Sequence, residues 1–448
     1  MTDDVAGRLL AAGMSPAACE TKDRLFGRTR QALASLGAAS GAPTLELFVP
    51  GRIEVLGKHT DYAGGRSLLC AVERGFCLVA SPRPDPRFRI VDGATNERIE
   101  FDFDPGLAVP AGGWAGYPMT VARRLARNFP NARTGADIAF VSDLPPAAGL
   151  SSSSALLTAV FLALAVINHL EDDDSYSRTI TTREDLAGYL GTIENGQSFG
   201  SLAGDHGVGT FGGSEDHTAM LCCRANHLSQ YRFCPVCHER TLALPDGVSF
   251  VVAVSGVVAE KTGAAQERYN RVSLAARAVL DLWRTASGRQ DATLADAAGS
   301  SPDAPDRIRA VLTRSTVCAF TPAALLDRFD QFVSESLEII PAVGDALAAR
   351  DFAAVGPLVD RSQRGAERGL GNQVPETMAL AHSAREEGAL AASAFGAGFG
   401  GSVWALVGTD EADDFVSRWA TRYRETFPQH AQLAQLFTTR PGPAAFWL

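Results

Sequence analysis

Four consecutive serines, Ser151 to Ser154, follow a turn rich in proline and glycine at residues 143–149 and open an apolar stretch. The first backbone N–H groups of a helix have no partners within the helix and carry partial positive charge, so they suit an anion. Serine hydroxyls add donors, and Gly149 lets the backbone approach a phosphate closely. One serine would be enough to cap a buried helix, which is the alternative. The segment therefore predicts a phosphate-binding turn, as in an ATP-dependent kinase acting on a small molecule.

A second group of reactive side chains lies in residues 49–65, VPGRIEVLGKHTDYAGG. The segment is not a Walker A loop, because five residues instead of four separate the glycines of GRIEVLGK and His59 stands where Ser or Thr should be. Arg52 has the charge to neutralise a transferring phosphoryl group. His59 and Asp61 can hydrogen-bond the hydroxyls of a polyol. The alternative is an ordinary charged loop.

Two glycine-rich segments complete the set. Residues 212–217 read GGSEDH, and a carboxylate there could orient or deprotonate an attacking hydroxyl. Glu215 and Asp216 cannot be ranked from local sequence, and a structural loop is an equal alternative. Residues 394–402, AFGAGFGGS, predict backbone packed tightly against a ligand or another loop.

Apolar patterns predict the elements that position these segments. We expect strands at residues 45–49, 67–80, 88–91, 136–142, 248–254 and 403–407, and a strand hairpin over 219–244. We expect helices at residues 21–36, 114–128, 151–170, 182–195, 260–283 and 411–426, with further helices over 322–389. Loops are expected at residues 196–213 and 286–306. A boundary at residues 245–247 divides the chain into an N-terminal unit, 1–245, and a C-terminal unit, 246–448.

Composition excludes several classes of protein. Hydrophobic residues make up 46% of the 448 and charged residues 21%, which is typical of a globular protein. The net charge of -10 without a basic run argues against nucleic acid as a partner. The longest apolar run, residues 155–167, is too short to span a bilayer. The acidic N-terminus lacks the pattern of a secretion signal, and eight cysteines without such a signal predict a cytoplasmic protein with free thiols.

The four segments together resemble the small-molecule kinase superfamily of galactokinase, homoserine kinase, mevalonate kinase and phosphomevalonate kinase (GHMP). PGRIEVLGKHTDYAGG is similar to the galactokinase signature, LPPAAGLSSSSAL to the phosphate loop, and GAGFGGSVWAL to the C-terminal glycine motif. The resemblance covers residues 45–406. It implies an α+β fold with two lobes, the first like domain 2 of ribosomal protein S5 and the second ferredoxin-like. It also implies transfer of the γ-phosphoryl group of Mg·ATP to the anomeric hydroxyl of a galactose-like sugar, by a monomer or weak homodimer.

The resemblance also implies roles for individual residues. Arg52 would stabilise the transferring phosphate and Asp216 would be the base, which resolves the choice between Glu215 and Asp216. Mg²⁺ would lie near Ser153 and Glu194. Sugar contacts would come from Lys58, His59, Asp61, Gly213 and Tyr269. ATP contacts would come from Trp114, Tyr117, Gly149, Leu150, Ser151, Ser152, Ser153, Ser154 and Gly398.

Lys58 departs from the family pattern, which has Glu at this position near the outer hydroxyls of the sugar. An ammonium group there favours a carboxylate or another acceptor-rich substituent. A hexuronate such as galacturonate is therefore an alternative substrate. The other interpretation is that Lys58 extends into solvent.

The spacing between Glu194 and Asp216 is about ten residues longer than in the family, around residues 201–210. The excess makes Asp205 and Glu215 alternative Mg²⁺ ligands and suggests a mobile lid. A silent sensor that binds ATP and sugar is a further alternative, although the presence of Arg52 and Asp216 argues against it.

A cysteine-rich stretch also invites a zinc interpretation. Its position on the expected strand hairpin favours core packing instead. The residues are Cys222, Cys223, Cys234, Cys237 and His238.

Overall fold

The computed structural model describes residues 5–37, 43–110, 112–258, 264–315 and 319–448. The helices within these ranges are α1 (Val5–Ala11), α2 (Pro16–Ala34), α3 (Gly116–Asn128), α4 (Ser152–Ile167), α5 (Asp174–Thr179), α6 (Arg183–Asn195), α7 (Glu215–Cys222), α8 (Ala264–Ser287), α9 (Leu294–Ala298), α10 (Ala304–Thr313), α11 (Pro322–Val333), α12 (Ile340–Ala348), α13 (Phe352–Gly365), α14 (Pro375–Glu386) and α15 (Ala412–Thr426). The strands are β1 (Leu45–Leu56), β2 (Arg66–Pro82), β3 (Arg87–Asp92), β4 (Arg98–Asp102), β5 (Ala136–Ser142), β6 (His227–Arg232), β7 (Cys237–Ala243), β8 (Val248–Val254), β9 (Ala391–Phe395), β10 (Ser402–Gly408), β11 (Gln435–Thr439) and β12 (Phe446–Trp447).

The first sheet has the order β12-β1-β2-β5-β3-β4, and β6 joins β2 to β7 beside this path. Side chains alternate across its faces, as the two-residue period of a strand requires. Phe48 and Cys77 pack with α2 on one face, whereas Leu47 and Leu78 pack with α4 on the other. The central strands are therefore buried on both sides, and their polar residues have to find partners inside the protein.

Strand β1 carries two register shifts in its pairing with β2, one between Pro50 and Arg52 and one between Glu54 and Leu56. A bulge leaves one residue without a cross-strand partner and turns the neighbouring side chains. The segment of β1 that holds Arg52 and Glu54 lies between the two shifts, at the edge of the cavities described below.

The second sheet, β11-β8-β10-β9, is antiparallel throughout. One of its faces packs against α14 and α15 through a core that includes Trp419. Helices α8 to α11 enclose a separate core around Trp283 and Phe329. A π-helical segment, Ser334–Ile339, continues α11 into α12 and contributes the buried Glu335.

The expected α+β class is confirmed, and the strands at residues 136–142 and 248–254 are found as predicted. The chain passes from the first sheet to the second between β7 and β8, and its end returns to the first sheet as β12. The division at residues 245–247 into two lobes remains a prediction. No helix in the described part of the chain is long and apolar enough to cross a membrane.

Two local predictions are wrong. Residues 219–222 belong to α7 and not to a strand, because the buried run from Thr218 to Leu221 lacks the alternation that distinguishes a strand. The expected loop at residues 286–306 contains α9 and the start of α10. A capping box between Thr293 and Asp296 begins α9 and was the overlooked signal.

Candidate active site

Arg52 and Asp216 form a buried ion pair between two cavities. Nε and Nη2 of Arg52 lie 2.7 and 2.6 Å from Oδ1 of Asp216. Arg52 is 2% exposed, and its Nη1 donates to the carbonyl of Gly149 at 2.5 Å. Burial opposes the charge of the guanidinium, but Asp216, Glu215 and Glu54 together raise the pKa of Arg52 above its ordinary value. Arg52 thus stays a cation and joins the phosphate turn to the carboxylate.

Asp216 is the second residue of α7, where the helix dipole favours a negative charge. Its other oxygen, Oδ2, accepts a hydrogen bond from Ser154 at 3.2 Å. The same hydroxyl lies 2.8 Å from Oε2 of Glu194, at the end of α6. His217 adds Nε2 at 3.5 Å from that Glu194 oxygen. A small polar cluster therefore surrounds Asp216, and Ser154, rather than Ser153, is the serine within it.

Glu215 and Asp216 have different surroundings although they are adjacent. Oε2 of Glu215 accepts a hydrogen bond from Ser67 at 2.7 Å, so this carboxyl group is anchored to β2. Burial, together with Glu54 and Asp61, raises the pKa of Glu215 well above its ordinary range. Glu215 is thus held by Ser67 and its neutral form is favoured, whereas Asp216 faces the guanidinium.

The turn between β5 and α4 has an unusual backbone. Ala147, Gly149 and Ser151 all have positive φ values, 49°, 77° and 57°. For Ala147 and Ser151 this left-handed conformation is strained. Ser151 occupies the N-cap position but makes no capping hydrogen bond, and its buried hydroxyl has no partner among the described residues. The alternative of a serine used only for capping is therefore wrong, and the hydroxyl is left for another acceptor.

A cleft of about 490 Å³ opens in front of this turn. Trp114 and Tyr117 line it at the end where α3 begins, and the indole of Trp114 stacks edge-on against Phe140 at 5.3 Å. Its floor is formed by Gly149, Ser151, Ser152 and Ser153, followed by Arg52 at the far end. The volume, the aromatic side chains and the serines that line the cleft suit a nucleotide whose phosphates reach the serines.

Two residues assigned to ATP from the sequence, Leu150 and Gly398, do not line the cleft. Leu150 is 1% exposed, and its carbonyl accepts a hydrogen bond from the Arg52 amide at 3.3 Å. Gly398 packs against Asn372, and its neighbour Ala397 lines the cleft instead. The C-terminal glycine motif also holds the phosphate turn directly, because Oγ of Ser402 donates to the carbonyl of Ala148 at 2.5 Å.

A smaller cavity of about 50 Å³ lies on the other side of Arg52. The rings of His59 and Tyr269 line it and pack against each other with centroids 5.3 Å apart, and Asp61 lines it as well. Gly213 approaches Asp61 so closely that a Cβ atom would lie 2.4 Å from Oδ2, which explains glycine at this position. The cavity is polar, and its carboxylate oxygens can accept hydrogen bonds from hydroxyl groups.

Lys58 is not part of this cavity, which corrects both interpretations made from the sequence. The side chain is 1% exposed, so it does not extend into solvent. Its Nζ donates to Oγ of Ser362 on α13 at 2.9 Å, and Ser362 donates in turn to Glu335 at 3.0 Å. The amide of Gly57 reaches the same Glu335 oxygen at 2.9 Å. Lys58 therefore ties the loop after β1 to the helices behind it.

Replacing Lys58 with Met is expected to lower the free energy of unfolding by about 3 kcal/mol, because breaking a buried ionic cluster leaves its acids uncompensated. Urea unfolding measures the loss, and Lys58→Arg should recover part of it. The preference between galactose and galacturonate should not change. If Lys58→Met kept its stability and lost activity only on galacturonate, the result would contradict this prediction and assign Lys58 to the sugar site.

The extra residues at 201–210 do not form a lid. The Asp205 side chain is fully buried and accepts a hydrogen bond from Nε of Arg123 on α3 at 2.8 Å. The amide of Val208 donates to the carbonyl of Glu194 at 2.8 Å. The segment is thus anchored at both α3 and α6. Of the three acids considered for a metal, Asp205 is paired with Arg123, Glu215 is held by Ser67, and Glu194 shares the Ser154 hydroxyl with Asp216.

The cysteine-rich stretch is divided between elements. Cys222 ends α7, whereas Cys234 and Cys237 lie at the turn between β6 and β7. Among the described residues, no group of three or more His, Cys, Asp or Glu side chains is arranged to hold a metal ion. Burial raises the pKa of the Cys223 thiol to about 12, as expected for a core cysteine.

Sequence reasoning missed Glu54, which lines the smaller cavity and is 3% exposed. The signal was a second charged residue two positions after Arg52 in a strand of mostly apolar residues, where an unexplained acid indicates a site. Ser154 was expected only as one of four serines that contact ATP, and its place beside Glu194 and Asp216 was not foreseen, because four identical serines give no indication of which one turns inward.

Comparisons with known proteins agree with this geometry. The galactose-binding signature of galactokinases matches residues 39–82, the N-terminal domain of GHMP kinases matches residues 116–205, and the C-terminal domain of GHMP kinases matches residues 345–425. A galactokinase of Chloroflexus aggregans is 29% identical over 387 residues, covering 85% of this chain and 88% of the relative. A galactokinase of Roseiflexus sp. (strain RS-1) is 27% identical over 388 residues, covering 86% and 88%. The fold is similar to the crystal structure of Lactococcus lactis galactokinase complexed with galactose, with a TM-score of 0.76 at 21% identity over 94% of this chain and 98% of that chain.

Proposed function

Because this chain belongs to the galactokinase family of the GHMP kinases, we propose that it transfers the γ-phosphoryl group of ATP to the anomeric hydroxyl of galactose. The observation that carries the proposal is the position of Arg52. Its side chain lines both the nucleotide-sized cleft and the small polar cavity, and it is paired with Asp216. An acceptor hydroxyl and a phosphoryl donor would meet at this point.

The phosphate turn supplies the donor side of the reaction. The N-terminus of α4 and the hydroxyls of Ser151, Ser152 and Ser153 would hold the phosphates, and Trp114 and Tyr117 would hold the adenine. Arg52 would balance the charge on the transferring group without moving, because Asp216 and Gly149 already fix its guanidinium. Catalysis in such a site rests on positioning and fixed charge.

The acceptor side is formed by residues that can orient a sugar. Hydrogen bonds from hydroxyls to Asp61, and packing against His59, Tyr269 and Gly213, would hold the ring. Asp216 would accept the proton of the anomeric hydroxyl as it attacks. The cytoplasm is the compartment that we propose, since the described cysteines are unpaired thiols. A monomer or weak homodimer remains a prediction.

The oxygen groups around Asp216 also fit Mg²⁺, which prefers carboxylate, hydroxyl and phosphate oxygens. Glu194 and Ser153 are the residues that we propose for it: Glu194 lines the small cavity, whereas Ser153 lies outside the cluster around Asp216 and lines the nucleotide cleft. Ser154 would hold Glu194 in place. When bound, the ion would neutralise charge on the phosphates.

Glu194→Gln is expected to raise the Mg²⁺ concentration for half-maximal activity by roughly tenfold or more. Asp205→Asn is the matched control, because this buried acid of the adjacent segment pairs with Arg123. The control should lower the melting temperature and leave the Mg²⁺ requirement unchanged. The opposite pattern would make Asp205 the ligand.

An ATP-consumption screen tests the proposed function. It compares galactose with galactosamine, N-acetylgalactosamine, galacturonate, arabinose and fucose, and the product is examined for phosphate at the anomeric position. We expect galactose to give the highest kcat/KM. If no sugar supports ATP consumption while one of them raises the melting temperature, the chain is a sensor and not a kinase.

A further inference from the structure

Glu54 is a buried acid with one oxygen in use. The side chain is 3% exposed, and Oε2 accepts a hydrogen bond from the Gly396 amide at 3.1 Å. Oε1 is buried and has no hydrogen-bond partner among the residues that the structure describes. The residue lines the small cavity beside Asp216. Glu54 therefore brings to the wall of the cavity an acceptor, Oε1, that has no hydrogen-bond donor among the described residues.

Leaving a buried carboxylate oxygen without a donor is costly, so its persistence needs a reason. Burial raises the pKa of Glu54 to about 7, against the opposing charges of Lys58 and Arg52, while Glu335 adds to the rise. The two cations hold the acid in place, but neither donates a hydrogen bond to Oε1. If Glu54 served only to hold Gly396 in place, its other oxygen, Oε2, would be sufficient.

The rest of the cavity shows which ligand would satisfy Oε1. The described residues that line it include one guanidinium, that of Arg52, and five carboxyl groups: Glu54, Asp61, Glu194, Glu215 and Asp216. Such a cavity attracts hydrogen-bond donors and repels a further carboxylate. With Lys58 turned away, no lysine on this side favours a hexuronate.

We propose that Glu54 is a specificity-determining residue that accepts a hydrogen bond from a hydroxyl of the sugar through Oε1. The inference rests on the proposed function and names a contact within the same site. It assigns to β1 a share of sugar recognition in addition to the loop at residues 58–61. It also predicts that the preferred sugar carries a donor, and not a carboxylate, at the contacted carbon.

The test uses galactose and its four monofluoro analogues, in which fluorine replaces the hydroxyl at carbon 2, 3, 4 or 6. Fluorine cannot donate, so in the wild-type enzyme the analogue modified at the contacted carbon should lose kcat/KM by roughly 10- to 100-fold. In Glu54→Gln the amide can donate to the sugar, and this penalty should shrink to a few-fold, while the other three penalties stay unchanged. Dividing the kcat/KM penalty of each analogue in the wild type by its penalty in Glu54→Gln removes the effect of fluorine on the intrinsic reactivity of the sugar.

Glu335→Gln is the matched control, because it removes an equally buried acid near Lys58 that does not line the cavity. It should leave all four penalties as in the wild type. Four penalties that are also unchanged in Glu54→Gln would overturn the proposal. If that variant does not fold, Glu54→Asp withdraws the carboxylate and should reduce the same penalty. Absence of kinase activity on galactose in the wild type would contradict the proposed function itself, which is a separate result.

Discussion

Replacing Asp216 with Asn should lower kcat by roughly 10²- to 10⁴-fold, the range expected for loss of a general base. The amide keeps the size of the side chain but cannot take up the proton of the attacking hydroxyl. The KM values for ATP and sugar should change little, because other residues line both cavities. Steady-state kinetics with a coupled ADP assay measures both parameters.

Glu215→Gln is the control that distinguishes the two neighbouring acids. Burial and adjacent carboxylates raise the pKa of Glu215 well above its ordinary range, which favours its neutral form, and Ser67 already holds one of its oxygens, so an amide resembles it. Its loss of kcat should be far smaller than that of Asp216→Asn. If Glu215→Gln lost more kcat than Asp216→Asn, Glu215 and not Asp216 would be assigned as the base.

Replacing Arg52 with Lys should lower kcat by roughly 10²- to 10³-fold, comparable to removal of a donor that stabilises transition-state charge. Lysine keeps the charge but cannot hold Asp216 and the carbonyl of Gly149 together with one rigid group. The site would then be charged but poorly positioned. Single-turnover kinetics would assign the loss to the chemical step.

Arg89→Lys is the matched control for this variant. Arg89 also forms a fork with an aspartate of the first sheet, with Nε and Nη2 at 2.7 and 2.6 Å from the Asp137 oxygens. Neither residue lines the two cavities of the site. Stability should fall slightly and kcat should stay near the wild-type value. Equal losses of kcat in the two variants would mean that Arg52 acts only by stabilising the sheet.

Local sequence was sufficient for the parts of the site that depend on local backbone. The phosphate turn was predictable because a strand, a glycine turn and a serine-rich helix start are consecutive in the chain. Arg52, His59 and Asp61 could be singled out because charged residues between glycines have few structural uses. Most strands and helices followed from their apolar periods in the same way.

The remaining features depend on residues far apart in the chain. The direction of Lys58 is decided by Ser362 and Glu335, on elements that no local pattern connects to it. The anchoring of residues 201–210 depends on Arg123, which reads from the sequence as an exposed helix position. Ser154 could not be separated from its three neighbours until α6 and α7 were placed beside it.

The hydrogen bond from Gly396 to Glu54 has a consequence for biosynthesis. Its two ends are 342 residues apart in the chain, and Ser402 reaches the phosphate turn across 254. At typical rates of translation, roughly 20 to 70 s pass between the synthesis of Glu54 and that of Gly396. During this interval β2 to β7 of the first sheet emerge from the ribosome without the turn that closes the buried acid and the phosphate loop. Chaperones should therefore be needed to protect the nascent chain until the last quarter of the polypeptide emerges. ATP binding should appear only then.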